Sequence, residues 1–162
     1  MSSYSQINDV NSFIFGAKGS LIINHSFSIG LGGYGFFNDY KWNNLLESNV
    51  NLQGGCGGLY FEAIILPKFP VHISIPLFLG AGGIAYVKDN YLTNGYYSGY
   101  VYDESAFVVA EPGIELEMNV FKFMRISFGA YYRYTSDIIL YDTRKDALNG
   151  LSTGINFKFG GF

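Results

Sequence analysis

The sequence predicts an all-β fold: a closed, eight-stranded, antiparallel up-and-down transmembrane β-barrel. The chain is 49% hydrophobic and 19% aromatic, but only 14% charged. A membrane-spanning helix requires a run of ~18 apolar residues, and no run in this chain approaches that length. Apolar and polar side chains instead alternate with a period of two, which is the pattern of β-strands. Its 162 residues fit a single domain, 1–162.

The alternation is clearest over 106–120, where one set of alternate residues is apolar and the other contains three glutamates. Residues 125–134 repeat the pattern with arginines in place of the acids. Because successive strand residues point to opposite faces, each segment has one apolar and one polar face. The predicted strands are 3–7, 13–21, 27–32, 59–65, 71–79, 106–120, 125–134 and 151–159.

Connections between these strands alternate between short and long. Tight turns are expected near 24–25, 67–70 and 121–123, and long polar loops over 38–49, 88–105 and 136–149. Outer-membrane barrels have short periplasmic turns and longer outer loops, so an even number of strands places both termini in the periplasm. The first strand is shorter than the ~9–11 residues of a spanning strand. We therefore expect the chain to be truncated at its N-terminus.

Two features interrupt the regular pattern. Pro76 and Pro112 lie inside predicted strands, where proline cannot donate a hydrogen bond to the neighbouring strand. We expect both at bulges or other strand irregularities. The alternation also shifts around Gly54 and Gly58, which predicts a glycine bulge there.

The charged residues of the strands all lie on the polar face. In a soluble, lipocalin-like barrel this face would meet water, whereas in a membrane barrel it lines the interior. We favour the membrane barrel because the polar face is rich in Gly, Ser and Asn, with few charges for a water-facing surface. We expect an interior charge network in which Arg125 and Arg133 pair with glutamates of the preceding strand. Its members are Lys18, Glu62, Glu111, Glu115, Glu117, Arg125, Arg133 and Lys158.

The last predicted strand, 151–159, alternates apolar residues up to the aromatic Phe159. It resembles the C-terminal signature that the outer-membrane assembly machinery recognises, although Gly160-Gly161-Phe162 extends beyond it. As a whole, the chain resembles the small outer-membrane barrels of the OmpA/OmpX type. The resemblance implies a porin-like fold in the outer membrane of a Gram-negative bacterium. It also implies contacts with outer-membrane lipid and, through the last strand, with the assembly machinery.

Motifs that could carry chemistry have simpler structural explanations. Gly30, Gly32 and Gly35 match a dinucleotide fingerprint, but no helix follows to hold a pyrophosphate. The pair His72 and Ser74 is similar to the base and nucleophile of the outer-membrane lipid A deacylase, yet here both residues are expected to face the interior. We expect the histidine to bond to a glutamate or serine.

Other residues give no indication of a catalytic, cofactor or metal site. Glu111, Glu115 and Glu117 would need an accessible cleft to act on a carbohydrate, so ion pairing is expected instead. Cys56 is the single cysteine, and the two histidines are far apart in sequence. The net charge of −3 also argues against a nucleic-acid partner.

The loop 88–105 is the predicted surface for a protein partner. It combines tyrosines with glycines and acids, a mixture typical of recognition loops, although an aromatic girdle would have a similar composition. The tyrosines are Tyr91, Tyr96, Tyr97, Tyr100 and Tyr102. The sequence thus favours a non-enzymatic outer-membrane protein that is a structural anchor, displays its loops to a partner or is a subunit of an outer-membrane assembly. The alternatives are a lipocalin-like ligand-binding or transport barrel and a lipid A-modifying enzyme.

Overall fold

The computed structural model describes residues 1–7, 10–38, 41–43, 48–66, 69–89, 99–140 and 143–160. Strands make up most of this part of the chain. They are β1 (Ser2–Ile7), β2 (Val10–Ile23), β3 (Phe27–Asn38), β4 (Lys41–Asn43), β5 (Ser48–Ile65), β6 (Val71–Asp89), β7 (Gly99–Phe121), β8 (Met124–Thr135) and β9 (Gly150–Phe159). Among the described residues, no helix is long and apolar enough to cross a membrane.

Eight of these strands form a closed antiparallel barrel. Neighbours in sequence are neighbours in the sheet, β1 pairs with β9, and β3 closes the circle by pairing with β5. The remaining strand, β4, pairs only with the start of β5 and extends that part of the sheet beyond the barrel. The predicted all-β, eight-stranded closed barrel is therefore confirmed.

Several strands are longer than predicted. Residues 99–105, which were expected to be loop, form the start of β7 and pair with 84–89 of β6. Strand β4 likewise lies within the expected loop 38–49. Cross-strand hydrogen bonding extends a hairpin through polar residues whose sequence carries no alternation, so the loop boundaries were wrong in these places.

The predicted turn between β2 and β3 lies in a three-residue connection, 24–26, because Ile23 pairs with Phe27. Asn24 and His25 have φ angles of 51° and 57°, and the amide of Ser26 donates to the carbonyl of Ile23 at 3.2 Å. Positive φ at both central residues is the geometry of a type I′ turn, whose twist matches that of paired strands. Asparagine adopts this conformation more readily than most residues.

The predicted glycine bulge is not formed. Pairing of β5 with β3 and with β6 keeps one register through Gly54 and Gly58, so the alternation continues there. Pairing of β6 with β7 is interrupted at Pro76, and pairing of β7 with β8 at Pro112, but each register is the same on both sides of its interruption. The register shifts instead at Tyr86/Val87 and at Asn119/Phe121. The apparent shift of the alternation arises because glycines have no side chain to mark a face and the apolar Leu52 belongs to the inward set.

The barrel has an apolar outside, and its interior combines a polar part with an apolar cluster. Large apolar side chains project outward from every barrel strand; Ile114 and Phe128, for example, are each 55% exposed. The alternate residues point inward and include serines, glutamates and arginines that are almost completely buried. Large apolar side chains are thus found outside as well as inside, whereas water-soluble domains keep most of them in the core.

Candidate functional site

The eight charged residues named from the sequence all point into the barrel and form what we call the interior network. Lys18 lies on β2, Glu62 on β5, and Lys158 on β9. Three glutamates come from β7 and both arginines from β8. Strand alternation places them on one face, and barrel closure then brings that face together from strands distant in sequence.

Lys158 is the central cation of the half of the network nearer the short turns, which we call the lower half; the end with the long connections is the upper one. Its ammonium contacts the carboxylates of Glu62 and Glu117 and lies 2.9 Å from that of Glu115. Carboxylate oxygens of these three glutamates lie within 4.8 Å of one another, a spacing that could hold a metal ion. Because the ammonium of Lys158 contacts all three, it supplies the positive charge that these acids require.

Glu115 accepts the largest set of hydrogen bonds in the network. The hydroxyls of Ser127 and Tyr131 donate to it at 2.7 and 2.8 Å, and the amide of Asn156 donates at 3.1 Å. The ammonium of Lys18 lies 3.6 Å away and also bonds to the hydroxyl of Tyr60. Glu115 is 0% exposed, so these donors replace its entire hydration shell.

Glu117 links the candidate pair His72 and Ser74 to Arg125. Ser74 donates to it at 2.7 Å, and the Nε2 atom of His72 lies 3.0 Å away. The guanidinium of Arg125 is 3.6 Å from the same carboxylate, as expected for an arginine beside the preceding strand. His72 and Ser74 therefore both bond to an acid inside the barrel, and the serine has no histidine positioned to act as its base.

Arg133 does not pair with a glutamate of the preceding strand, so that prediction was wrong. Its Nε donates to the carbonyl of Leu148 at 2.7 Å and its Nη2 to the hydroxyl of Ser5 at 3.2 Å. Glu111 instead accepts from the hydroxyl of Tyr34 at 3.1 Å. The reason is tertiary: the segment before β9 folds over the barrel and places a carbonyl within reach of the guanidinium.

This segment supplies residues that sequence reasoning did not select. Ile138, Leu140, Ala147 and Leu148 are buried and belong to the same apolar cluster as inward-facing residues of the upper barrel. The connection 136–149 was expected to be a polar outer loop, yet these side chains close the barrel end. Their apolar character was the available signal. At its exposed surface, Arg144 donates to Asp146 at 2.9 and 3.1 Å, and these hydrogen bonds hold the pKa of Asp146 below its usual value.

The predicted tyrosine surface lies largely beyond the described part of the chain. Tyr91, Tyr96 and Tyr97 fall outside the described residues. Tyr100 and Tyr102 lie on β7 rather than in a loop, and their side chains are not described.

Little free space remains between the upper and lower parts of the interior network. A cavity of about 30 Å³, lined by Lys18, Tyr34, Tyr60 and Glu111 among others, separates its upper and lower halves. This volume corresponds to one water molecule. In the described part of the barrel, the network is therefore packed as a solid interior at this level.

Comparisons with known proteins identify no relative of this chain. No protein-family model matches it, and no curated protein or solved structure matches it significantly. Function is therefore inferred from the barrel itself.

Proposed function

We propose that this chain is an integral outer-membrane β-barrel that acts as a non-enzymatic anchor and displays its long loops on the outer side. The observation that carries this proposal is the inverted polarity of the barrel. Large apolar side chains cover the outer wall, while eight charged residues lie inside. Soluble monomers rarely expose a continuous apolar surface of this extent, whereas lipid would cover it.

The interior network supports an anchor over a channel or carrier. Four acids and four bases lie in the interior and meet one another or neutral hydrogen-bonding groups. An eight-stranded barrel is just wide enough to be filled by side chains. A lipocalin-like carrier would instead need an enclosed apolar cavity for its ligand. The largely apolar space of about 780 Å³ in the upper barrel, beside Phe36 and Ile84, is open to the outside.

An arginine substitution on the outer wall tests the membrane proposal directly. Ile114 is central to the paired part of β7, and Ile114→Arg would place a charge in the hydrocarbon, at a cost of about 2–4 kcal/mol. We expect the variant to insert poorly into phosphatidylcholine vesicles. The matched control is Phe121→Arg, on the outward face of the same strand near the turn, where the cost falls to about 0–1 kcal/mol. Equal insertion of both variants, measured by protease protection and by the gel mobility of unheated protein, would contradict membrane placement.

The loop-display part of the proposal follows from elimination. Lipid would cover the wall, side chains fill the interior, and the turns at the opposite end are short, so the long connections are the free surface. We expect a tyrosine-to-serine triple variant to fold and insert normally but to lose a defined binding partner of the parent, once one is identified by cross-linking. Unchanged partner binding would contradict this role. The substituted residues are Tyr96, Tyr97 and Tyr100.

A further inference from the structure

The wall of the barrel has a strand-wide opening below β1. Strand β1 pairs only with residues 10–15 of β2 and 152–155 of β9. Beyond this contact, the lower parts of β2 and β9 pair with β3 and β8 on their other sides. In the described sheet, β2 and β9 are separated by β1 and do not pair with each other. Two strand edges therefore face each other across a slot. Because β1 fits between β2 and β9, this slot is two strand spacings wide.

Backbone hydrogen-bonding groups point into this slot from both edges. Met1 and Gly16 exchange both of their backbone hydrogen bonds at 3.1 Å. Because hydrogen-bonded pairs alternate along an antiparallel ladder, the backbone groups of Lys18, Ser20 and Ile22 also face this side of β2. By the same alternation, the backbone groups of Phe157 and Phe159 point into the slot from β9.

Side-chain exposure shows that the wall is open at this level. Ser20 belongs to the inward-facing set of β2, yet it is exposed like its outward neighbours Gly19 and Leu21. A space of about 530 Å³ lies between the two edges and reaches inward to Glu62 and Arg125 of the interior network.

We infer that the slot receives an extended segment joined to the amino group of Met1, which continues β1 down the wall opposite residues 17–23 of β2. The inference rests on the membrane placement proposed above, since unpaired backbone groups are especially costly in hydrocarbon. The geometry favours covalent continuation because Met1 already forms the ladder hydrogen bonds at the upper end of the slot. About seven residues at one per ladder position would fill it.

The register defines the chemistry of this segment. Counting back from Met1, the odd positions lie outward opposite Ala17, Gly19, Leu21 and Ile23, and the first and third adjoin Phe157 and Phe159. These positions should be apolar. The second position points inward between Lys18 and Lys158. Both lysines already contact carboxylates of the network, so this position needs a small neutral polar residue rather than an acid.

The test is an engineered disulfide between an added segment and β2. In a Cys56→Ser background, the N-terminus is extended by the alternating sequence Ile-Asn-Val-Ser-Val-Ser-Val. Its fifth residue before Met1 is then replaced by cysteine and combined with Leu21→Cys. These positions form a non-hydrogen-bonded pair, in which the short Cα separation suits a disulfide. The matched control carries the same residues as Val-Val-Val-Ile-Ser-Ser-Asn, with cysteine at the same position.

We expect the disulfide to form in the folded, detergent-solubilised alternating protein and to be largely lost in the control. The alternating extension should also shift the unfolding transition to higher urea. A cysteine at the third position with Phe159→Cys reports on the β9 edge if the first pair does not fold. Absence of the disulfide at both edges, or equal formation in the control, would overturn the inference. Cross-linking in detergent together with normal insertion of Ile114→Arg would refute membrane placement but leave the strand insertion intact.

Discussion

Replacing Glu115 with glutamine should destabilise the barrel strongly, because this residue holds the two lysines and the polar side chains of the lower interior together. The substitution keeps the size of the side chain but removes its charge. The ammonium groups of Lys18 and Lys158, 3.6 and 2.9 Å away, then lose part of their compensation. Ser127 and Tyr131 donate to different oxygens of this carboxylate, so the new amide nitrogen also removes the acceptor of one of these two hydrogen bonds.

The size of the effect follows from the burial of these groups. Breaking a fully buried ion pair by removing one partner costs about 3–5 kcal/mol. The contacts share one carboxylate, so their individual contributions are not additive, and we expect the total to stay in this range. With a urea dependence of about 2 kcal/mol per molar, the unfolding midpoint should fall by roughly 1.5–2.5 M.

The measurement is urea unfolding in detergent micelles, followed by the loss of the compact gel mobility of unheated protein. Glu104→Gln is the matched control, because Glu104 lies on the same strand but is exposed. Its midpoint should remain within error of the parent. If Glu115→Gln unfolds at the same urea concentration as this control, the interior network does not stabilise the barrel and the reasoning is refuted.

Three further predictions follow from other parts of the barrel. Arg133→Met removes the donor to the carbonyl of Leu148, so trypsin should cleave after Arg144 faster than in the parent; unchanged cleavage would show that Arg133 does not hold this segment. Gly58→Ala should destabilise by about 1–3 kcal/mol, because an added Cβ would overlap the backbone oxygen of Leu79. Gly19→Ala meets no atom within 4 Å and should be neutral, so equal urea midpoints of the two variants would contradict this reasoning. In planar bilayers the protein should show no stable step conductance, because side chains fill the interior, and reproducible conductance steps would contradict a filled interior.

Much of the site could be read from the sequence because strand alternation is local. Glu62 and Arg125 share the polar set of their strands, and this alone places both in the barrel interior. The same alternation identified the outward apolar set, and the Asn24-His25 pair marked a turn. Partners within the network were less accessible. Arg125 meets Glu117 as expected, because neighbouring strands fix that distance.

Other contacts depend on how the chain closes on itself. The segment before β9 folds back over the barrel and gives Arg133 the carbonyl of Leu148, a partner that no pattern in its own strand indicates. Loop residues carry no alternation, so neither the extension of β7 to Gly99 nor the strand β4 was predicted. The glycine bulge was wrongly predicted because glycine is compatible with both regular and irregular strands.

The sequence by itself determined which side chains face inward and which face outward, since a period of two requires only the local geometry of an extended chain. The tertiary structure decided which of those inward residues meet. Lys158 joins glutamates of β5 and β7 only because β9 stands across the closed barrel from them. The opening below β1 is likewise set by the register of β1 against β2 and β9. Both depend on long-range pairing, and alternation along a single strand does not specify that pairing.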